Sequence, residues 1–171
     1  VEKSAGASPN LIEVLGGTPQ KSTTADTYTG SLILHFDKNL YTGTPPKPLT
    51  DTNITALNNG FNKTNSSITV TASTTATDKQ PSPDFTLAIG QMKPGDVISL
   101  PPSPPVLANA SGATPDENLT VTLESYTEVE EATGDTVTYL RFTVNWGKSD
   151  PYQWAGPGLE IKRVQAPTPP N

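Results

Sequence analysis

Apolar and polar residues alternate in short runs along most of this chain. In GSLILHFDKNL (Gly30–Leu40), Leu32, Leu34 and Phe36 share one face of an extended chain, and Ile33 and His35 share the other. The same period of two recurs in SITVTAST (Ser67–Thr74), with Ile68 and Val70 inward, and in DFTLAIG, with Phe85, Leu87 and Ile89 inward. Side chains on a strand alternate between its faces, so these runs predict half-buried β-strands. The clearest unit comes later. Leu119 to Leu123 runs on to Tyr126 and Val129, a turn follows over Glu131–Asp135 with Gly134, and Thr136 to Trp146 returns. Two alternating runs joined by a short glycine turn predict a β-hairpin. Shorter strands are expected at Leu11–Leu15, Thr52–Leu57, Val97–Leu100 and Leu159–Val164. The expected core is Leu34, Phe36, Val70, Leu87, Val121, Leu123, Phe142 and Val144.

The segments between these runs are rich in turn formers. Residues 18–27 read as a Thr/Ser-rich linker, TGTPPKP (Thr42–Pro48) as a stiff loop, Asn58-Asn59-Gly60 as a turn, and PPSPP (Pro101–Pro105) as polyproline II. The 18 prolines argue against long helices, and the 26 threonines suit pleated surfaces with one wet side. Eight to ten short strands with no helical period between them suggest a sandwich or a barrel, and the expected fold is an all-β, antiparallel Greek-key sandwich with proline-rich loops and extended tails. The expected organisation is an extended N-terminal segment over 1–27, a sandwich over 28–165 and a proline-rich tail over 166–171.

Charge narrows the partners. The net charge of −6 disfavours nucleic acid and anionic lipid, which both need a basic face. No run of 18 apolar residues is present, so no membrane insertion is expected. There is no cysteine, which excludes disulfides and thiolate metal sites.

The candidate chemistry is sparse. His35 is the single histidine, with no H-E-x-x-H and no G-x-S-x-G around it, so it reads as a residue on the second face of a strand. Glu128, Glu130, Glu131 and Asp135 gather near a hairpin tip, where solvated charge is the expected role. Trp146, Tyr152 and Trp154 lie in NWGKSDPYQWAGPG and form the best candidate for a small ligand, a flat platform for sugar rings. Five Asn-x-Ser/Thr sequons mark candidate glycosylation sites at Asn53, Asn62, Asn65, Asn109 and Asn118. No catalytic residue, cofactor or metal site is expected.

GSLILHFDKNL followed by LTDTNITALNNG, SITVTAST and DFTLAI resembles bacterial Ig-like domains over roughly residues 28–100. The proline-rich stretches at 44–48 and 101–105 depart from the short family form. The resemblance implies a surface-exposed β-sandwich used in adhesion, assembly or spacing, and no catalytic residue. The expected function is therefore a non-enzymatic structural subunit of an extracellular assembly, either a cell-surface filament or a virion surface. Its expected partners are further copies or other coat or fibre subunits. The alternative is a carbohydrate-binding or adhesive module whose partners are glycans.

LIEVL points to how such an assembly would form. Leu11, Ile12, Val14 and Leu15 make a strand-like apolar segment set off from the body by Gly16-Gly17 and the linker. Either it adds to the sheet edge of a neighbouring subunit, or it returns to its own sheet as a first strand.

Overall fold

The computed structural model describes residues 9–101, 107–112, 119–146, 153–155 and 159–160. Within them the chain forms thirteen strands and one short helix. In chain order these are β1 (Leu11–Gly16), β2 (Gln20–Lys21), β3 (Tyr28–Phe36), β4 (Tyr41–Thr42), β5 (Lys47–Pro48), α1 (Ile54–Gly60), β6 (Asn62–Lys63), β7 (Thr69–Ser73), β8 (Asp84–Met92), β9 (Val97–Leu100), β10 (Leu119–Val129), β11 (Thr136–Trp146), β12 (Gln153–Ala155) and β13 (Leu159–Glu160).

All strand pairs are antiparallel. The first sheet runs β1-β3-β8-β7, with β2 beside the start of β3. The second runs β12-β11-β10-β9-β6, with β13 also on β11. β4 and β5 make a separate two-stranded ribbon. The two larger sheets pack across one apolar core. Leu32, Leu34 and Phe36 from β3 and Phe85, Leu87 and Ile89 from β8 face Val121, Leu123, Leu140, Phe142 and Val144 from β10 and β11. Phe36 and Phe85 stack with ring centroids 6.1 Å apart. The sheets approach closely where β3 carries Gly30, opposite the ring of Phe142.

Seven of the eight expected core residues are fully buried, and Val70 is half-buried against the same cluster. The late hairpin forms as expected, with Leu119 paired to Trp146 at one end and Val129 to Thr136 at the other. Its turn closes through Gly134 N–H to the Glu130 carbonyl (2.8 Å), with Gly134 in the left-handed region at φ 75°. Burial on β10 fades after Leu123 and residues 131–136 are all exposed, while on β11 burial resumes at once with Val137.

Three expectations change. Thr52–Leu57 was expected to be a strand and Asn58-Asn59-Gly60 a turn, but Ile54–Gly60 is helical. Ile54 and Leu57 are three residues apart, and this spacing puts both on one helical face, buried at 4% and 1% exposure. The Thr50 hydroxyl accepts the N–H groups of Thr52 and Asn53 (both 3.3 Å), and Thr50 C=O takes the N–H of Ile54. The linker over 18–27 contains β2, which pairs with Tyr28 and Thr29 of β3. The stiff loop over 42–48 is part of the β4–β5 ribbon. The expected polyproline stretch falls largely outside the described residues, as do most of the last expected strand and the C-terminal tail.

Candidate functional site

His35 has a partner after all. β3 places it between Glu13 on β1 and Asp84 on β8, and its Nδ1 contacts the Asp84 Oδ1. The two side chains are 35% and 44% exposed. Beside them lies a shallow groove lined by Ile33, Ser73, Thr74, Ser82, Asp84 and Thr86. A carboxylate holding one imidazole nitrogen is two-thirds of a nucleophilic triad; the third part is a hydroxyl on the other nitrogen. Two of the groove's hydroxyls meet the backbone of Asp84 instead. Ser82 Oγ accepts the Asp84 N–H (3.0 Å), and Thr74 Oγ1 donates to the Asp84 carbonyl (3.5 Å). As placed, the pair ties β3 to β8 across the outer face of the first sheet.

The carboxylates at the hairpin tip stay apart from any cleft. Glu128, Glu131 and Asp135 are exposed, and Glu130 accepts a hydrogen bond from the Thr133 hydroxyl (3.1 Å). A carboxylate with close partners lies further down β10 at Glu124, a residue that the sequence pattern did not single out. The Thr143 hydroxyl donates to it at 2.6 Å and Arg141 Nε at 3.3 Å. The Thr143 hydrogen bond, with Arg141 adding to it, holds the Glu124 carboxyl below its ordinary range against the opposing effect of burial. The Arg141 guanidinium lies 4.1 Å from the centroid of the Tyr126 ring, and Tyr126 stacks on Tyr139 at 5.3 Å. Glu124, Tyr126, Tyr139, Arg141 and Thr143 therefore form one cluster on the outer face of the hairpin. The signal for it was present: in hairpin register Glu124 faces Arg141 and Tyr126 faces Tyr139.

Of the expected sugar platform, Trp146 ends β11 and Trp154 sits in β12 in register with Val144. Their side chains, and Tyr152 altogether, lie outside the described residues. The sequons divide by setting. Asn53 spans a turn, with its amide nitrogen donating to the Pro48 carbonyl and its oxygen accepting Thr50 N–H, each at 2.8 Å. Asn109 is 3% exposed and accepts Ser111 N–H (2.8 Å). Asn62 is exposed, while Asn65 is half-buried and accepts Ser67 N–H (3.0 Å). Asn118 lies outside the described residues. Among the described residues, no group of three or more His, Cys, Asp or Glu is arranged to hold a metal ion.

The candidate assembly strand takes the second of its two open courses: β1 pairs with β3 of its own chain. Leu11 is buried, and Val14 packs on the core. A clamp fixes its start: Asn10 N–H and Nδ2 donate to the two Asp37 oxygens (2.8 and 3.1 Å), and Asp37 N–H donates to the Asn10 carbonyl (2.9 Å). A register shift between Leu11 and Glu13 leaves Ile12 outside, and Leu15 also faces out, each 46% exposed. Leu15 lies directly across from Ile33, which is 38% exposed. Three of the four exposed large apolar residues among those described are on β1 and β3, with Leu15 and Ile33 directly paired.

Comparison with protein-family models, with curated proteins and with solved structures returns no match for this chain.

Proposed function

We propose that this chain is an Ig-like β-sandwich that serves as a structural subunit of an extracellular assembly, making its contacts through the N-terminal edge of its first sheet. The strand order supports the Ig-like part. In the immunoglobulin arrangement one sheet runs A-B-E-D and the other C-F-G, all antiparallel. With β1, β3, β6, β7, β8, β9 and β10 taken as A to G, the first sheet here runs A-B-E-D and the second C-F-G. β11 and β12 then extend the second sheet beyond G.

The observation that carries the assembly reading is the exposed apolar pair Leu15 and Ile33, with Ile12 also exposed further along β1. Two of these residues sit on an edge strand joined to the rest by Gly16 and Gly17, both in the left-handed region at φ 75° and 94°. Exposed apolar side chains that cluster at a sheet edge mark a contact surface more strongly than the same residues scattered. An edge strand also offers backbone groups to a neighbour.

Light scattering across a concentration series, with electron microscopy of the same material, tests this. The expected result is higher-order species for the native chain and their loss in the Leu15→Glu, Ile33→Glu double variant. Deleting residues 1–17 is a poorer test, because it strips Leu11 from the core and removes the Asn10 clamp. A native chain that stays monomeric at high concentration, or an assembly indifferent to both charges, refutes the proposal.

A further inference from the structure

The far edge of the first sheet is β7, and its sequence lacks the usual protection of an edge. Residues 64–77 contain no charge and no proline, the two commonest devices that keep an edge strand from pairing with another chain. Thr69, Thr71 and Ser73 are exposed on the outer face, and Val70 and Ala72 face the core. A short β-branched segment of low charge is the kind that pairs with copies of itself.

Two side chains meet this edge: Lys63 Nζ donates to the Ile68 carbonyl (3.0 Å) just before β7, and Asn58 meets β7 itself. Ala72 lies in register with Leu87 on β8, yet its own N–H donates to the Asn58 Oδ1, and its carbonyl accepts from the Asn58 Nδ2 at 3.4 Å. Both backbone groups of Ala72 thus turn away from β8 and meet the carboxamide of α1. A primary amide carries one acceptor and one donor side by side, as a passing backbone does, so Asn58 stands where the next strand would lie. α1 brings it there because Ile54 and Leu57 anchor the helix in the core beside β7.

We infer that Asn58 is the guard of the β7 edge, the residue that keeps this chain from pairing there, strand to strand, with a second copy of itself. This does not rest on the assembly reading above; it states which edge is closed. The occupant excluded is a second β7. β7 itself offers Thr and Ser on its outer face and no charge, so two copies of Thr69–Ser73 bring no like charges of their own together; Lys63 reaches only the Ile68 carbonyl just before the strand. The helix itself is a modest barrier. It has seven residues, no side-chain cap bond at Asn53 and no charge arranged along its ends. A helix this short has little stability of its own and stays in place through its packing and its bonds to β7.

Amide hydrogen exchange and light scattering test the inference together. In the native chain the Ala72 amide should exchange more slowly than that of Val70, whose N–H points the same way two residues earlier. Asn58→Ala should speed Ala72 exchange by about tenfold, the factor for one lost hydrogen bond, and leave the β10 and β11 amides unchanged. The same variant should associate with rising concentration beyond whatever the native chain does, and adding Thr71→Lys should return it to the native state. Equal exchange at Ala72 and Val70 in the native chain overturns the inference without any variant. So does an Asn58→Ala chain with no added association, or association that Thr71→Lys leaves untouched.

Discussion

Gly30→Ala is a steric test of how tightly the two sheets are packed. A Cβ built on Gly30 lies 3.1 Å from both Cδ2 and Cζ of Phe142 and closer still to Cε2. Carbon atoms in good contact sit roughly 3.5–4.0 Å apart, so the ring would have to retreat. It has nowhere to go, since Phe142 is fully buried between the sheets. Gly30 is not in the left-handed region, so alanine meets no backbone penalty there. Alanine even gains about 0.5–1 kcal/mol by restricting the unfolded chain. Overpacking a filled core costs about 1–3 kcal/mol, so the net expectation is a loss of roughly 1–2 kcal/mol. Urea denaturation should show a lower midpoint with an unchanged slope. The sharper readout is the cycle with Phe142→Leu. The smaller side chain leaves room for the new methyl group, so Gly30→Ala should cost at least about 1 kcal/mol less in that background. A neutral or stabilising Gly30→Ala, or strict additivity with Phe142→Leu, would show that the sheets do not meet at this point.

Two further outcomes follow from the surface clusters. Because the Glu124 carboxyl is held below its ordinary range, its contribution to stability is present above the unfolded value near 4 and is lost as pH falls through the lower folded value. Glu124→Gln should therefore be less stable than the native chain at neutral pH, by under about 1 kcal/mol given the exposure of the pair, and the gap should close in acid. A gap that stays constant down to pH 2 would contradict the Thr143 and Arg141 contacts. Asp37→Ala removes both acceptors from Asn10, so exchange at the start of β1 should quicken while the β10–β11 amides keep their rates. A uniform change along the chain would mean that the clamp is not local.

The strands that strict alternation marked were legible because one face of each is fully buried, as in β3, β8, β10 and β11. α1 was misread because TNITAL offers two apolar residues, and a pair at i and i+3 also fits a ragged strand. The Thr50 turn that starts the helix was the better signal. The His35–Asp84 contact spans 49 positions and depends on strand pairing, so nothing local could announce it. The same is true of Asn58, which reads as part of an Asn-Asn-Gly turn until β7 is set beside it. LIEVL was equally suited to its own sheet or to another. The Asn10–Asp37 bonds and the burial of Leu11, which give it a place on its own chain, are again contacts between distant positions.

The exposed hairpin tip has a practical consequence. Residues 131–136 are exposed, and burial begins at Val137 on β11 and at Leu123 on β10. Between tip and core, the Tyr126–Tyr139 stack fastens the two strands together. A peptide tag or reactive side chain grafted between Ala132 and Thr133 would therefore sit in an exposed turn of the second sheet, whereas the β1 and β7 edges belong to the first. Exposed turns of this kind tolerate insertion because little backbone bonding is lost. That makes the tip a place to attach a label for imaging or force measurement, one that reports on the chain without entering either of its sheet edges.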